Sequence, residues 1–204
     1  MKRPASSGEQ QAQRQFGTGA RAAAFYANQM LDHLNQPMQE FIARQEMLFV
    51  ATSSASGDCD CSFRAGAPGF VQVLDGKTLA YPEYRGNGVL ASLGNILENP
   101  HIGLIFLDFF RSTVGLHVNG AARVCTREQA QALPHLSARL RESGHLSDER
   151  RADAWILIDV EEAYIHCSKH VPLLKLLDKG ILWGTDDEHA KGGDFFKVKR
   201  EPGA

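Results

Sequence analysis

The stretch YPEYRGNGVLASLGNILENPHIGLIFLDF, Tyr81 to Phe109, runs from an apolar strand into Arg85-Gly86-Asn87-Gly88, then into a helical pattern, and back to strand. Val89, Leu90, Leu93, Ile96 and Leu97 recur at helical spacing, and Pro100 sets the latest point at which that helix ends. Asn87 stands where an N-cap belongs. The first-turn amides of such a helix lack intrahelical partners, and the helix dipole makes that end partly positive. Gly86 and Gly88 permit close backbone approach, and Arg85 adds a guanidinium suited to bidentate phosphate contact. The corner is therefore a phosphate cradle or an ordinary strand-to-helix turn with a surface arginine, and the tetrapeptide alone fits both. Neither a Walker loop nor a dinucleotide fingerprint is present here, since no Gly-Lys-Ser/Thr follows and no Gly-x-Gly-x-x-Gly opens a βαβ unit.

Working outward, MLFVATSS (Met47 to Ser54) is a short apolar run that ends in turn chemistry. GFVQVLDGKTLAYP places Asp75-Gly76 between two β-type segments, a hairpin signal, with Phe70, Gln72 and Leu74 on one side and Val71 and Val73 on the other. HIGLIFLDF and GLHVNGAARVC read as two further strands, the second a through-strand with a bulge at Asn119-Gly120. Thr126 with Gln129 opens a helix by a capping box, bent near Pro134. AWILIDVEEAYIHC (Ala154 to Cys167) is a last strand, followed by a short helix, Leu173 to Lys179, stopped by Gly180. About six strands joined mostly by hairpins point to an antiparallel barrel or sandwich with peripheral helices, not a parallel α/β sheet. Ahead of the strands, residues 20–34 and the segment after Pro37 carry amphipathic helical spacing. Residues 1–18 are rich in Gln, Ser and Gly and predict a disordered tail.

The 204 residues, 43% of them hydrophobic, suffice for one core, so residues 19–204 are read as one domain: a helical arm 19–45, a barrel 46–170 and a C-terminal helix and tail 171–204. Twenty-two Lys and Arg against 24 Asp and Glu give a net charge of −2, which provides no field for nucleic acid or anionic lipid. A small-molecule or protein partner is expected. The four cysteines form no spaced framework and read as reduced thiols, the N-terminus lacks an apolar signal core, and no aliphatic run spans a bilayer. A cytoplasmic protein without membrane contact is expected.

The order SFRAGAPGFVQVLDGKTLAYPEYRGNGVLASLGNILENPHIGLIFLDF, followed by GLHVNGAARV, resembles the flavin-binding split barrel of the pyridoxamine 5′-phosphate oxidase-like family, over roughly residues 39–125 with an echo at AYIHCSKH. The resemblance implies a six-stranded Greek-key split β-barrel, FMN as cofactor, and a homodimer that shares the ligand across its interface. It implies that Arg85, Asn87 and the Gly86 backbone hold the FMN phosphate with help from Ser92. Tyr81 and Pro82 then end a strand beside the flavin, and Ser62 and Arg64 supply polar groups near ring or phosphate. Gly69, Phe70 and Val71 offer backbone groups to the ring edge. His117 and Asn119 share a strand face and either touch the cofactor or line the dimer seam. The chain lacks the oxidases' C-terminal Arg-x-His clamp and their fuller set of cationic residues at the corner, so pyridoxine oxidation is not expected. The expected activity is flavin-dependent oxidoreduction of an unspecified small molecule. The alternatives are a non-catalytic flavin carrier, a deazaflavin F420 protein and a haem protein using His117, His166 or His170.

No catalytic residue is singled out. His166, Cys167 and His170 lie close together but lack further ligands, so no metal site is assigned. Cys59 and Cys61 read as strand-edge thiols, and Trp183 is a core residue or a lid over a flat ring.

Overall fold

The computed structural model describes residues 5–84, 86–133, 152–181, 187 and 195–198. Seven strands form one antiparallel sheet: β1 Met47–Ser53, β2 Cys59–Ala65, β3 Gln72–Val73, β4 Thr78–Tyr84, β5 His101–Leu107, β6 Gly115–Thr126 and β7 Ala152–His166, in the order β2-β1-β5-β6-β7-β4-β3. Six are long and β3 has two residues. GFVQV contributes only those two to the sheet, whereas Cys59–Ala65, not assigned a strand from the sequence, pairs fully with β1. The Asp75-Gly76 hairpin is present: Leu74 N–H donates to Thr78 O, and Asp75 Oδ1 accepts from Lys77 N–H. β6 runs unbroken through Asn119-Gly120, where its register with β7 shifts by a bulge.

Alternation along the strands sorts the faces. Leu48, Val50, Leu79, Tyr81, Leu104, Phe106, Val118, Ile156 and Ile158 point inward and are almost fully buried. Helix α3 Gln36–Ala43 starts at Asn35, whose side chain accepts from Met38 N–H, and adds Phe41 and Ile42 to that core. A satellite cluster of Ala80, Cys125, Trp155 and Leu157 lies against α5 Arg127–Ala132, which opens with the expected Thr126/Gln129 capping box. The expected continuation through Pro134 lies outside the described residues.

Three helical expectations change. Ser7–Phe16 form α1 where a tail was expected: Ser6 and Glu9 cap it reciprocally, and Gly17 ends it at φ 64°. It buries none of its residues, as the polar composition requires, and is tied to α2 Gly19–Asn28 by Tyr26, whose hydroxyl donates to Glu9 and accepts from Gln13. No helix forms over residues 173–179; after a 3₁₀ turn, Ser168–His170, the chain runs without regular structure, and Leu173, Leu174, Leu176 and Leu177 stay exposed. So short a helix is unstable without a surface on which to bury its apolar face. The third change is the start of α4, in the site itself.

Candidate functional site

Among the described residues β2 pairs only with β1, and β4 pairs with β7 and β3, so no backbone ladder joins β2 to β4. Side chains close this seam. The inward row of β2 is polar there: Asp60, Ser62 and Arg64 share a face by alternation. Arg64 Nε donates to Glu83 Oε2 of β4 at 2.9 Å, Nη1 to the Phe63 carbonyl, and Nη2 to Ser92 Oγ at 3.4 Å. Ser62 and Ser92 each donate to Asp60 Oδ2 at 2.8 Å. Ser92 belongs to α4, Ala91–Glu98, which packs over β1, β2 and β6 and is fastened by Asn95 to Thr52 Oγ1 and by Asn99 to Ser53 Oγ.

Electrostatics follow from depth. Burial raises the Glu83 pKa, opposed by Arg64 and reinforced by Asp153 of β7. Asp60 is held below the usual carboxylate range by the hydroxyls of Ser62 and Ser92. Tyr81, fully buried, has its phenol pushed far up by burial, and its hydroxyl has no hydrogen-bond partner among the described residues.

The corner differs from the sequence expectation. Asn87 is not the N-cap: α4 begins four residues later, behind Leu90 in the left-handed conformation at φ 55°, with no side chain capping it. Asn87 Oδ1 instead accepts from Val89 N–H, a local turn that postpones the helix. Val89, Leu90 and Leu97 are consequently exposed, so only Leu93 and Ile96 of the apolar stripe pack inward. A Cβ built on Gly86 or Gly88 meets nothing within 4 Å, and Gly88 has φ 81°. Arg85 lies outside the described residues.

The other candidates separate into two places. Phe70, Val71 and Tyr81 are core residues, and Phe70 N–H is already bonded to Ala67 O, so it is not free for a ring edge. Pro82 is buried opposite Trp155, and Gly69, at φ 84°, accepts from the Gln72 side chain. His117 and Asn119 lie on the opposite, outward face of the sheet. There His117 stacks on Tyr164 at 4.7 Å, its Nε2 is 2.9 Å from His166 Nδ1, and burial and His166 lower its pKa. Asn119 donates to Glu162. Among the described residues no group of three or more His, Cys, Asp or Glu is arranged to hold a metal ion. Trp183 lies outside the described residues.

Asp60 and Glu83 escaped the sequence reading. Alternation from Arg64 gives Asp60 its face, and alternation from Tyr81 gives Glu83 its own, but only the fold brings β2 and β4 together.

Residues 34–167 match the family model described as Pyridoxamine 5′-phosphate oxidase, well over half of the chain. The chain belongs to that family. Its split barrel is the family fold, as the sequence resemblance implied. No curated protein sequence matches. Among solved structures, HupZ of Group A Streptococcus is 22% identical, with 64% of this chain and 91% of that one covered, at a TM-score of 0.48. HutZ, described as a heme storage protein from Vibrio cholerae, is 16% identical, with 65% and 93% covered and a TM-score of 0.44. An F420 reductase is 18% identical, with 63% and 94% covered and a TM-score of 0.41. Among the described residues no helix is long and apolar enough to cross a membrane.

Proposed function

We propose that this member of the family binds FMN through the barrel seam and acts as a flavin-dependent oxidoreductase on a small molecule, as a homodimer. The observation that carries the reading is the convergence of Arg64, Ser62, Ser92 and the uncapped start of α4 beside an open glycine corner. These residues fit a phosphate ester. Three of the guanidinium's five N–H groups are engaged, which leaves donors on both Nη atoms, and backbone can approach at Gly86 and Gly88 without a side chain in the way. Glu83 accepts from Arg64 on the Nε side. Asn87 holds the turn that leaves the first amides of α4 uncapped by any side chain. Bound flavin supplies the electron chemistry; the chain supplies binding, orientation and shelter from water.

A second copy is favoured by the outward face of the sheet, where Phe63, Phe49, Ile105, His117 and Tyr164 form one row across five strands and Phe63 is 52% exposed. The same seat would take the phosphate of deazaflavin F420. A haem reading draws on the His117–His166 pair, in which each ring keeps one nitrogen outside the hydrogen bond that joins them.

The absorption spectrum of the purified protein, before and after incubation with FMN, separates flavin, deazaflavin and haem. Bound FMN is expected, and Arg64→Ala and Arg85→Ala are each expected to weaken it by about tenfold to a hundredfold while the circular dichroism stays unchanged. Failure to bind FMN, or undiminished binding in both variants, overturns the reading. Reduction of the bound flavin by a nicotinamide and reoxidation by small-molecule acceptors distinguishes an enzyme from a carrier.

A further inference from the structure

The seam sets acids against the very side chains that would meet a phosphate, an inference that rests on the phosphate reading above. Among the described residues, Arg64, Ser62 and Ser92 each donate to an acid. Arg64 is bonded to Glu83, and both serine hydroxyls donate to a single oxygen, Asp60 Oδ2. Among the described residues the cluster therefore sets one cation against two carboxylates. Glu83 is buried, at 8% exposed, whereas Asp60 is partly buried and accepts from Ser92 near the start of α4.

We propose that Glu83 and Asp60 are resident anions that occupy the donors of this site, and that a phosphate ester displaces them with the uptake of a proton by Glu83. Once Arg64 and the serines turn to an incoming anion, the buried Glu83 loses its counter-charge, and protonation is the direct way to avoid two unpaired negative charges at one seam. Glu83 takes the proton because it is the more deeply buried of the two acids and burial already raises its pKa. Arg64 of β2 faces it with opposite charge, whereas Asp153 of β7 adds like charge, Tyr81 of its own strand is neutral, and α4 contributes only the uncharged Ser92. Asp60, held by two hydroxyl donors, is the harder of the two to protonate.

Calorimetry of the intact protein with sulfate, whose charge is constant between about pH 6 and about pH 8, and separately with FMN, tests this in buffers of different ionisation enthalpy. The parent is expected to bind sulfate about tenfold more weakly at the higher pH and to take up close to one proton there. Glu83→Gln is expected to bind sulfate about tenfold more tightly than the parent at about pH 8, with a flat pH profile. Asp60→Ala, which removes the acceptor of both serines, is the second variant should Glu83→Gln fail to fold, and is expected to tighten sulfate in the same direction. Weaker sulfate binding in Glu83→Gln makes Glu83 a support for Arg64 and overturns the proposal, as does binding without proton uptake. Proton-linked sulfate binding without FMN binding sinks the flavin reading and leaves this inference standing; FMN binding with unchanged affinity in both variants does the reverse. Binding of neither anion by any of these proteins ends both.

Discussion

Tyr81 carries a hydroxyl into the core with no acceptor among the described residues, although its ring is packed among Leu79, Phe106 and Ile156. An orphan buried donor costs free energy that phenylalanine would not incur. Tyr81→Phe is therefore expected to raise stability by about 1 kcal/mol, read as a higher urea midpoint at unchanged slope. A loss of stability would reveal an acceptor for the hydroxyl. The same residue shows where reading by sequence stops. Alternation places Tyr81, Glu83 and Leu79 on one side of β4, but whether that side meets flavin or core depends on β7 lying beside it, more than seventy residues later. Acids in strands resemble solvated surface by type, so Asp60 and Glu83 gave no signal, whereas Arg64 and Ser92 were found through the family pattern.

Among the elements, β6 depends on its bulge. A Cβ at Gly120 would lie 2.1 Å from the Asp159 carbonyl, so the ladder to β7 admits only glycine there. Gly120→Ala is expected to cost about 2 kcal/mol or more, seen as a lower thermal midpoint; an unchanged midpoint would mean the bulge shifts freely. This element was legible, because Asn119-Gly120 as a turn would have left two very short arms. So was the Asp75-Gly76 hairpin, whose chemistry is local. β2 was not, since its inward row of Asp60, Ser62 and Arg64 lacks the apolar alternation by which a half-buried strand is recognised. The start of α4 was misplaced because an Asn with a side-chain oxygen two residues before an amide caps a turn as readily as a helix.

For the whole molecule, the homodimer proposed above requires the aromatic row on the outer sheet face to meet a second copy. Phe63→Lys combined with Ile105→Lys is expected to shift the sedimenting species from two chains to one with the barrel's circular dichroism intact, whereas a parent that sediments as one chain would remove the dimer. The order of strands has another consequence. β4 is made early, yet its ladder partner β7 is, among the described residues, the last strand to be synthesised. While the ribosome adds the residues in between, the nascent chain holds Leu79 and Tyr81 beside an unfilled edge, open to chaperones or to other unfinished chains. Ribosomal stalling before Ala152 would thus leave a sticky fragment, so β7 decides when the protein can safely leave the machinery that made it.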